Sequence, residues 1–522
     1  MVRLDCISIS ITMGLKNYTL LFTFFLFLHS PAIIAQSLTA NVVDSVSKEP
    51  IPYATILLNN KGVITNEEGN FTFILNESIK ESDSLFISCI GYESVAKQLS
   101  EFKTAQILLS PKAIELKEVI VSNKNYTADE IIDLVEENLE KNYILDDYTK
   151  KRLFYRNSSF NRMTKTNFTI KESTIDAFNQ KFIDSVIRTV PKSNSYYTEI
   201  LGDLYGNLEE DSQKIHLIKA SELYDKSKDV DMEKLEEKFN DIIKKNVKTD
   251  SYFKVKSGLF GTKIDADEIF ESDIDSTDVA AVNEEIEKKK ENEKKRKENF
   301  ANYRKNTLGK LFNNLPINDG TEYNFITKSR KYNYTLKEFT YLGNDAVYVV
   351  DFNSKGSADY RGTLYINSDD FALIRADFEN IKTVQSFNLL GISTNTYLSK
   401  GKAIFFKEAN GKYGLRYFES EIGSRIGVKR PLKIIEKNKI VKGRNKQNEL
   451  SGKMDLVFTN VEKNEIVVFD TEGVSQNQFE SYKENNAILP TYMPKYDPEF
   501  WKGYTIMEPN TAIKEFTSSE VD

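Results

Sequence analysis

Histidine, cysteine and tryptophan are nearly missing from this chain of 522 residues, which holds two His, two Cys and one Trp. His29 and Cys6 lie in or before an N-terminal apolar run, leaving His216 and Cys89 for the rest of the molecule. A zinc site needs three or four nitrogen or sulfur ligands, so zinc hydrolysis is disfavoured, and a lone Cys closes no internal disulfide. A Ser/His/Asp triad would have to use His216, in Gln213-Lys214-Ile215-His216-Leu217-Ile218, where no G-x-S-x-G elbow stands nearby. His216 is expected to be a structural residue. Cys89, inside Leu85-Phe86-Ile87-Ser88-Cys89-Ile90, is expected to be a small buried hydrophobe. No catalytic residue, cofactor site or metal site is assigned.

A positive balance is missing too. Lys+Arg number 71 against 78 Asp+Glu, a formal charge of -7, which offers no general attraction to nucleic-acid phosphates. No apolar run reaches the roughly 20 residues of a membrane span. The stretch Leu20 to Leu28, preceded by Lys16 and followed by Ala35-Gln36, instead reads as a secretory signal cut after Ala35, with Met13 as an alternative start to Met1. No Cys follows it, so a lipid-anchored lipoprotein is not supported. The expected protein is exported, periplasmic or outer-membrane associated, with no transmembrane segment after signal removal.

What remains is globular: 40% hydrophobic, 29% charged, with 33 Phe and 27 Tyr. From Ser37 to about Ser110 short runs rich in β-branched and aromatic residues, Leu38 to Val43, Tyr53 to Leu58, Phe71 to Leu75, Leu85 to Ile90 and Gln106 to Leu109, are separated by turn residues. Asn66-Glu67-Glu68-Gly69 places Gly where a tight turn needs positive φ, and Phe71, Phe73 and Leu75 alternate onto one face. The ordered series Val42-Val43-Asp44, Pro50-Ile51-Pro52-Tyr53-Ala54-Thr55-Ile56, Thr65 to Phe71, Ile90-Gly91-Tyr92-Glu93 and Leu116 to Val121 resembles the carboxypeptidase regulatory-like domain of exported Bacteroidota proteins. That resemblance implies a transthyretin-like β-sandwich of about seven strands, a non-catalytic accessory module also found ahead of TonB-dependent receptors. About 400 residues follow, too few for a plug and a 22-stranded barrel.

Beyond the sandwich the period changes. Thr127 resembles an N-cap, followed by Ile131, Ile132, Val135 and Leu139 at helical spacing, and Leu153-Phe154-Tyr155 turns strand-like. Asp229 to Val247 reads as an amphipathic helix with Leu235, Phe239, Ile242 and Ile243 on one side. From Glu284 to Glu298, 13 of 15 residues are charged, with spacings such as Glu291 to Lys295 that support an exposed helix. Asp273-Ile274-Asp275-Ser276-Thr277-Asp278 reaches Glu284 at the twelfth position of a calcium-loop register but lacks Gly at the sixth, and is read as a solvated acidic loop.

Tyr323 to Val468 returns to alternation. Ala346, Tyr348, Val350 and Phe352 alternate, Leu364-Ile366 and Ile374-Phe378 flank a turn at Asn367 to Asp370, and Asn410-Gly411 links another hairpin. These strands faintly resemble the open half-barrels of periplasmic lipoprotein carriers, which implies a candidate ligand groove at Val347, Val349, Leu364, Ile366, Ile374 and Phe378. Trp501 is expected to dock on the sheet.

The fold class is mainly β with α: the sandwich, then a larger α+β domain with an extended antiparallel sheet and a charged helical insertion. The expected division is 1–35 signal, 36–122 sandwich, 123–260 mixed region, 261–312 acidic loop and charged insertion, 313–470 antiparallel sheet and 471–522 tail. The expected function is a non-catalytic envelope protein that binds a protein or glycan. The alternatives are a carrier of an apolar, lipid-like ligand and a hydrolase using carboxylates alone.

Overall fold

A computed structural model describes residues 36–519 except 60, 76–78, 103–104, 113–125, 210–212, 249, 259, 266–278, 441–445 and 486. The signal segment, Leu116 to Val121 and Asp273 to Asp278 therefore lie outside the described residues.

The N-terminal unit is a sandwich of seven strands: β1 (Gln36–Asp44), β2 (Thr55–Leu58), β3 (Lys61–Ile64), β4 (Asn70–Leu75), β5 (Ser84–Ser88), β6 (Val95–Gln98) and β7 (Gln106–Leu109). Sheet β4-β1-β7 faces sheet β3-β2-β5-β6. Phe71 and Phe73 alternate inward, as their spacing requires. The turn before them needs its glycine: Gly69 has φ +74, and a Cβ there would lie 2.6 Å from the Val42 carbonyl oxygen. Strands β3 and β6 escaped the sequence reading. The second is a largely exposed strand, so no buried face marks its period.

The rest of the chain builds a sheet of 14 strands. They are β8 (Thr149–Ser173), β9 (Ser193–Gly206), β10 (Gln213–Tyr224), β11 (Ser251–Ser257), β12 (Phe260–Asp265), β13 (Tyr332–Leu342), β14 (Asp345–Ser354), β15 (Tyr360–Asn367), β16 (Leu373–Asn380), β17 (Gln385–Leu389), β18 (Ile392–Lys407), β19 (Tyr413–Asn438), β20 (Lys446–Gly473) and β21 (Thr491–Met493). The main path runs β13-β14-β15-β16-β18-β19-β20-β8-β9-β10-β21, while β17 pairs β18 and the β11–β12 hairpin pairs the outer half of β19.

Neighbouring side chains on a strand point to opposite faces, and here each face meets a different layer. Tyr155, Phe418 and Ile466 join a core with α1 (Ala128–Glu137) and the far half of α4 (Val279–Asn313). Phe154, Tyr417 and Val467 join a second core with Ile56, Leu58 and Phe73 of the sandwich and with Trp501 and Met507 of the tail. The sheet is thus sandwiched at its centre. Thr127 caps α1 in a reciprocal capping box with Glu130. The charged segment lies in α4 with the expected Glu291–Lys295 pair at 2.8 Å, and the same helix runs on to bury Ala301, Leu308 and Phe312. Two further helices, α2 (Gln180–Thr189) and α3 (Ser227–Asn246), sit at the outer end of the long strands.

Candidate functional site

Cys89 and His216 take no part in any site. Cys89 is a buried free thiol pushed up to about 11 by burial, and His216 lies on β10 in register with Asp203. Among the described residues no cluster of His, Cys, Asp or Glu is arranged to hold a metal ion.

Where sandwich, sheet and tail meet, buried charges tie them together. Arg156 on β8 pairs with Glu199 at 2.7 Å and donates to the Met507 carbonyl at 2.8 Å, while Trp501 Nε1 donates to Glu199 at 2.8 Å. On β20, Lys463 lies 2.7 Å from Glu67 of the sandwich turn, 3.2 Å from Glu419 and 3.3 Å from Glu465. Burial alone would lower the Lys463 ammonium, but Glu465 and Glu419 outweigh it and hold the group above the ordinary lysine range. Tyr417 donates to Glu419 at 2.8 Å, and burial followed by these carboxylates pushes its hydroxyl well up.

Beside this joint opens a polar cleft of about 600 Å³ between sandwich and sheet. Its carboxylates all have cationic neighbours: Asp351 with Lys337 at 3.8 Å, Asp377 with Arg375 at 2.8 Å, Glu379 with Arg361 at 2.5 Å, and Glu419 and Glu67 with Lys463.

The six residues named from sequence as a groove are all buried. Val347, Leu364, Ile366, Ile374 and Phe378 come together in the helix-side core; Val349, also buried, lies outside that cluster. Phe325, from the segment after α4, stacks on Phe352 at 4.5 Å and packs at a tilt against Phe378 at 5.3 Å, so the chain itself fills the space over those strands.

An apolar opening lies instead at the outer end of the long strands. On one side of a cavity of about 190 Å³ stand Val255, Ile434 and Leu450 from β11, β19 and β20; on the other stand Phe178, Phe239 and Ile243. Phe239 of α3 lies 5.0 Å from the Phe178 ring and 5.6 Å from that of Phe182 in α2, so an aromatic trio seats both helices there. Two buried carboxylates border the cavity, and both are committed. Glu436 accepts from Ser251 and Asn448, each at 2.7 Å. Burial pushes Glu449 up, but hydrogen bonds and charge from Lys433 and Lys446 outweigh this and hold its carboxyl below the usual range.

Apolar side chains also mark the sheet surface farther from this cavity, on the same face. Cross-strand partners share a face, and one row runs Phe387, Thr394, Ile426, Phe458, Met163 across β17, β18, β19, β20 and β8. Ile426, Phe458 and Met163 line a second concavity of about 400 Å³. The helical stripe Phe239, Ile242, Ile243 was legible in sequence, whereas its partners Ile434 and Leu450 were not. One-sided alternation through Ile426, Val428, Leu432 and Ile434 was the available signal, interrupted on that face by the charge of Arg430.

A seven-stranded sandwich fixed to one face of a long antiparallel sheet is thus the class of protein that fold and site define. Residues 38–121 match the CarboxypepD_reg-like domain, the family that the ordered motifs of the sandwich resemble. No curated protein matches the chain. Solved structures with some likeness include a LolA superfamily protein from Nitrosomonas europaea (8% identity, 69% of this chain and 99% of that one, TM-score 0.17). Others are the MucA/MucB complex of Pseudomonas aeruginosa (5% identity, 67% and 99%, TM-score 0.15) and a Bacteroides fragilis protein of unknown function (9% identity, 84% and 98%, TM-score 0.12). At such TM-scores no common fold is established. Among the described residues no helix is long and apolar enough to cross a membrane.

Proposed function

We propose that this is a non-catalytic binding protein of the cell envelope, with the sandwich as a fixed accessory module and the outer end of the sheet holding a lipid-like aliphatic chain. The carrying observation is the cavity bounded by Val255, Ile434, Leu450 and Phe239, whose bordering carboxylates are both committed to donors. Its 190 Å³ exceeds the roughly 30 Å³ share of one water and falls below the roughly 300–1,000 Å³ of drug-sized sites, a size suited to part of an acyl chain. The ion pairing of every carboxylate in the polar cleft supports a joint there rather than a pair of catalytic acids, which would need one raised acid and one free base. A protein or glycan partner for the sandwich has the accessory character of its domain family in its favour.

The test is native mass spectrometry of protein extracted from its own envelope, followed by titration with a fluorescent acyl probe. Co-purified lipid and saturable probe binding are expected, and Val255→Trp, which fills the cavity, should abolish both while leaving the melting temperature nearly unchanged. Absence of lipid and of probe binding in the unaltered protein would sink the reading.

A further inference from the structure

The chain as a whole is acidic, yet Arg425 to Lys446 carries nine cations (Arg425, Lys429, Arg430, Lys433, Lys437, Lys439, Lys442, Arg444 and Lys446) against the single acid Glu436. From Ile381 to Lys407, which spans β17 and β18, there is no Asp or Glu at all. Among the described residues Arg425 and Lys429 form no ion pair. Asp455, which faces Lys429 across the strands, is held by Lys165 at 2.5 Å.

The β17–β18 hairpin forms an edge of the sheet beside β19, with three large apolar side chains in solvent: Phe387, Leu389 and Leu390, each more than half exposed. Its two-residue turn is Leu390-Gly391, both with positive φ, the geometry that Asn-Gly takes without strain. At φ +50 a leucine is strained, and the surrounding structure enforces it. Lys429 N donates to the Gly391 carbonyl at 2.7 Å, and any Cβ on Gly391 would collide with the Lys429 carbonyl, so the tip is stapled to β19 beside a cation. An exposed leucine alone needs no explanation. An apolar sheet edge with a strained leucine turn, stapled to a strand whose Arg425 and Lys429 stand outside any ion pair among the described residues, does.

We infer that this hairpin docks the protein edge-on on an anionic lipid surface, with Phe387, Leu389 and Leu390 entering the acyl boundary and Arg425 and Lys429, which the register puts on the opposite face of the sheet, lying at the headgroups. The exposed apolar edge fits a fluid layer, and charge complementarity selects an anionic one, since each cation close to such a surface strengthens binding about fivefold.

Sedimentation of the full chain with vesicles decides it, using phosphatidylcholine alone and phosphatidylcholine mixed equally with phosphatidylglycerol. Binding is expected to the mixed vesicles, weakening with added salt. Phe387→Asp combined with Leu390→Asp should reduce it at least about tenfold, since both apolar side chains leave the acyl layer, and Lys429→Glu about fivefold or more. Leu390→Asn separates docking from folding: it relieves the turn and should raise the melting temperature while weakening vesicle binding. Failure of the unaltered protein to bind mixed vesicles, or equal binding by all variants, would overturn the inference. These positions lie outside the acyl cavity, so that outcome leaves probe binding at Val255 and Phe239 untouched.

Discussion

At the scale of single residues, the buried charges set the molecule's tolerance. Arg156 is 1% exposed, and Glu199 is its 2.7 Å partner. Glu199→Ala should therefore cost about 3–5 kcal/mol, the usual penalty for leaving one charge of a buried pair unpartnered. Urea unfolding would show it as a lower midpoint at unchanged slope. Cys89 gives a pH dependence. Its thiol ionises near 9.0 in an unfolded chain and near 11 when buried, so between these values the folded state holds more protons and stability falls as pH rises. Cys89→Ala should flatten that part of the decline relative to the natural protein, as measured by melting temperature from pH 8 to 11. Arg156, Glu199 and Lys463 were invisible as a group in the sequence, because polar residues inside a strand read as its wet face until the register is known.

At the scale of elements, α4 joins two kinds of helix under one name. Its Glu284 to Glu298 part is held by exposed pairs such as Glu287 with Lys290 at 2.9 Å, each worth about 0.2–0.5 kcal/mol. Replacing that part with a short Gly/Ser linker should leave the melting temperature almost unchanged. Phe312→Ala, in the buried part of the same helix, should cost about 3–5 kcal/mol. Paired denaturation curves of the two variants check this contrast. Short elements were legible wherever a turn signal bounded a periodic run, as at Gly69, Thr127 and Asn410-Gly411. The lengths of β8, β19 and β20, of 25, 26 and 28 residues, were not. Their outer halves bury one face only partly and carry lysines and glycines on the other, so neither period nor composition marks where they end. The groove residues illustrate the opposite limit: a strand apolar on both faces announces burial and leaves open what covers it, here Phe325 and its neighbours.

At the scale of the whole molecule, the sandwich shares its core with the sheet and the tail, through Phe73, Phe154 and Trp501 among others. Calorimetry should therefore show a single transition rather than separate melting of sandwich and sheet. Ending the chain before Tyr496 should lower that transition and expose the sandwich to protease, because Trp501 and the Met507 carbonyl leave Glu199 and Arg156. The early and late strands of the sheet join where β8 meets β20, and Tyr155 and Asn464, which hydrogen-bond across that seam, are 309 residues apart in sequence. A seam of such separation is slow to find, since loop closure precedes any reward from pairing. During synthesis one edge of β8 waits unpaired until nearly all of the chain has emerged, so synthesis and folding are tied in time: a chain released early presents an open strand edge, the template for aggregation. Refolding followed by the fluorescence of Trp501, which reports the tail's arrival, should end on a slow phase that coincides with protection of β8.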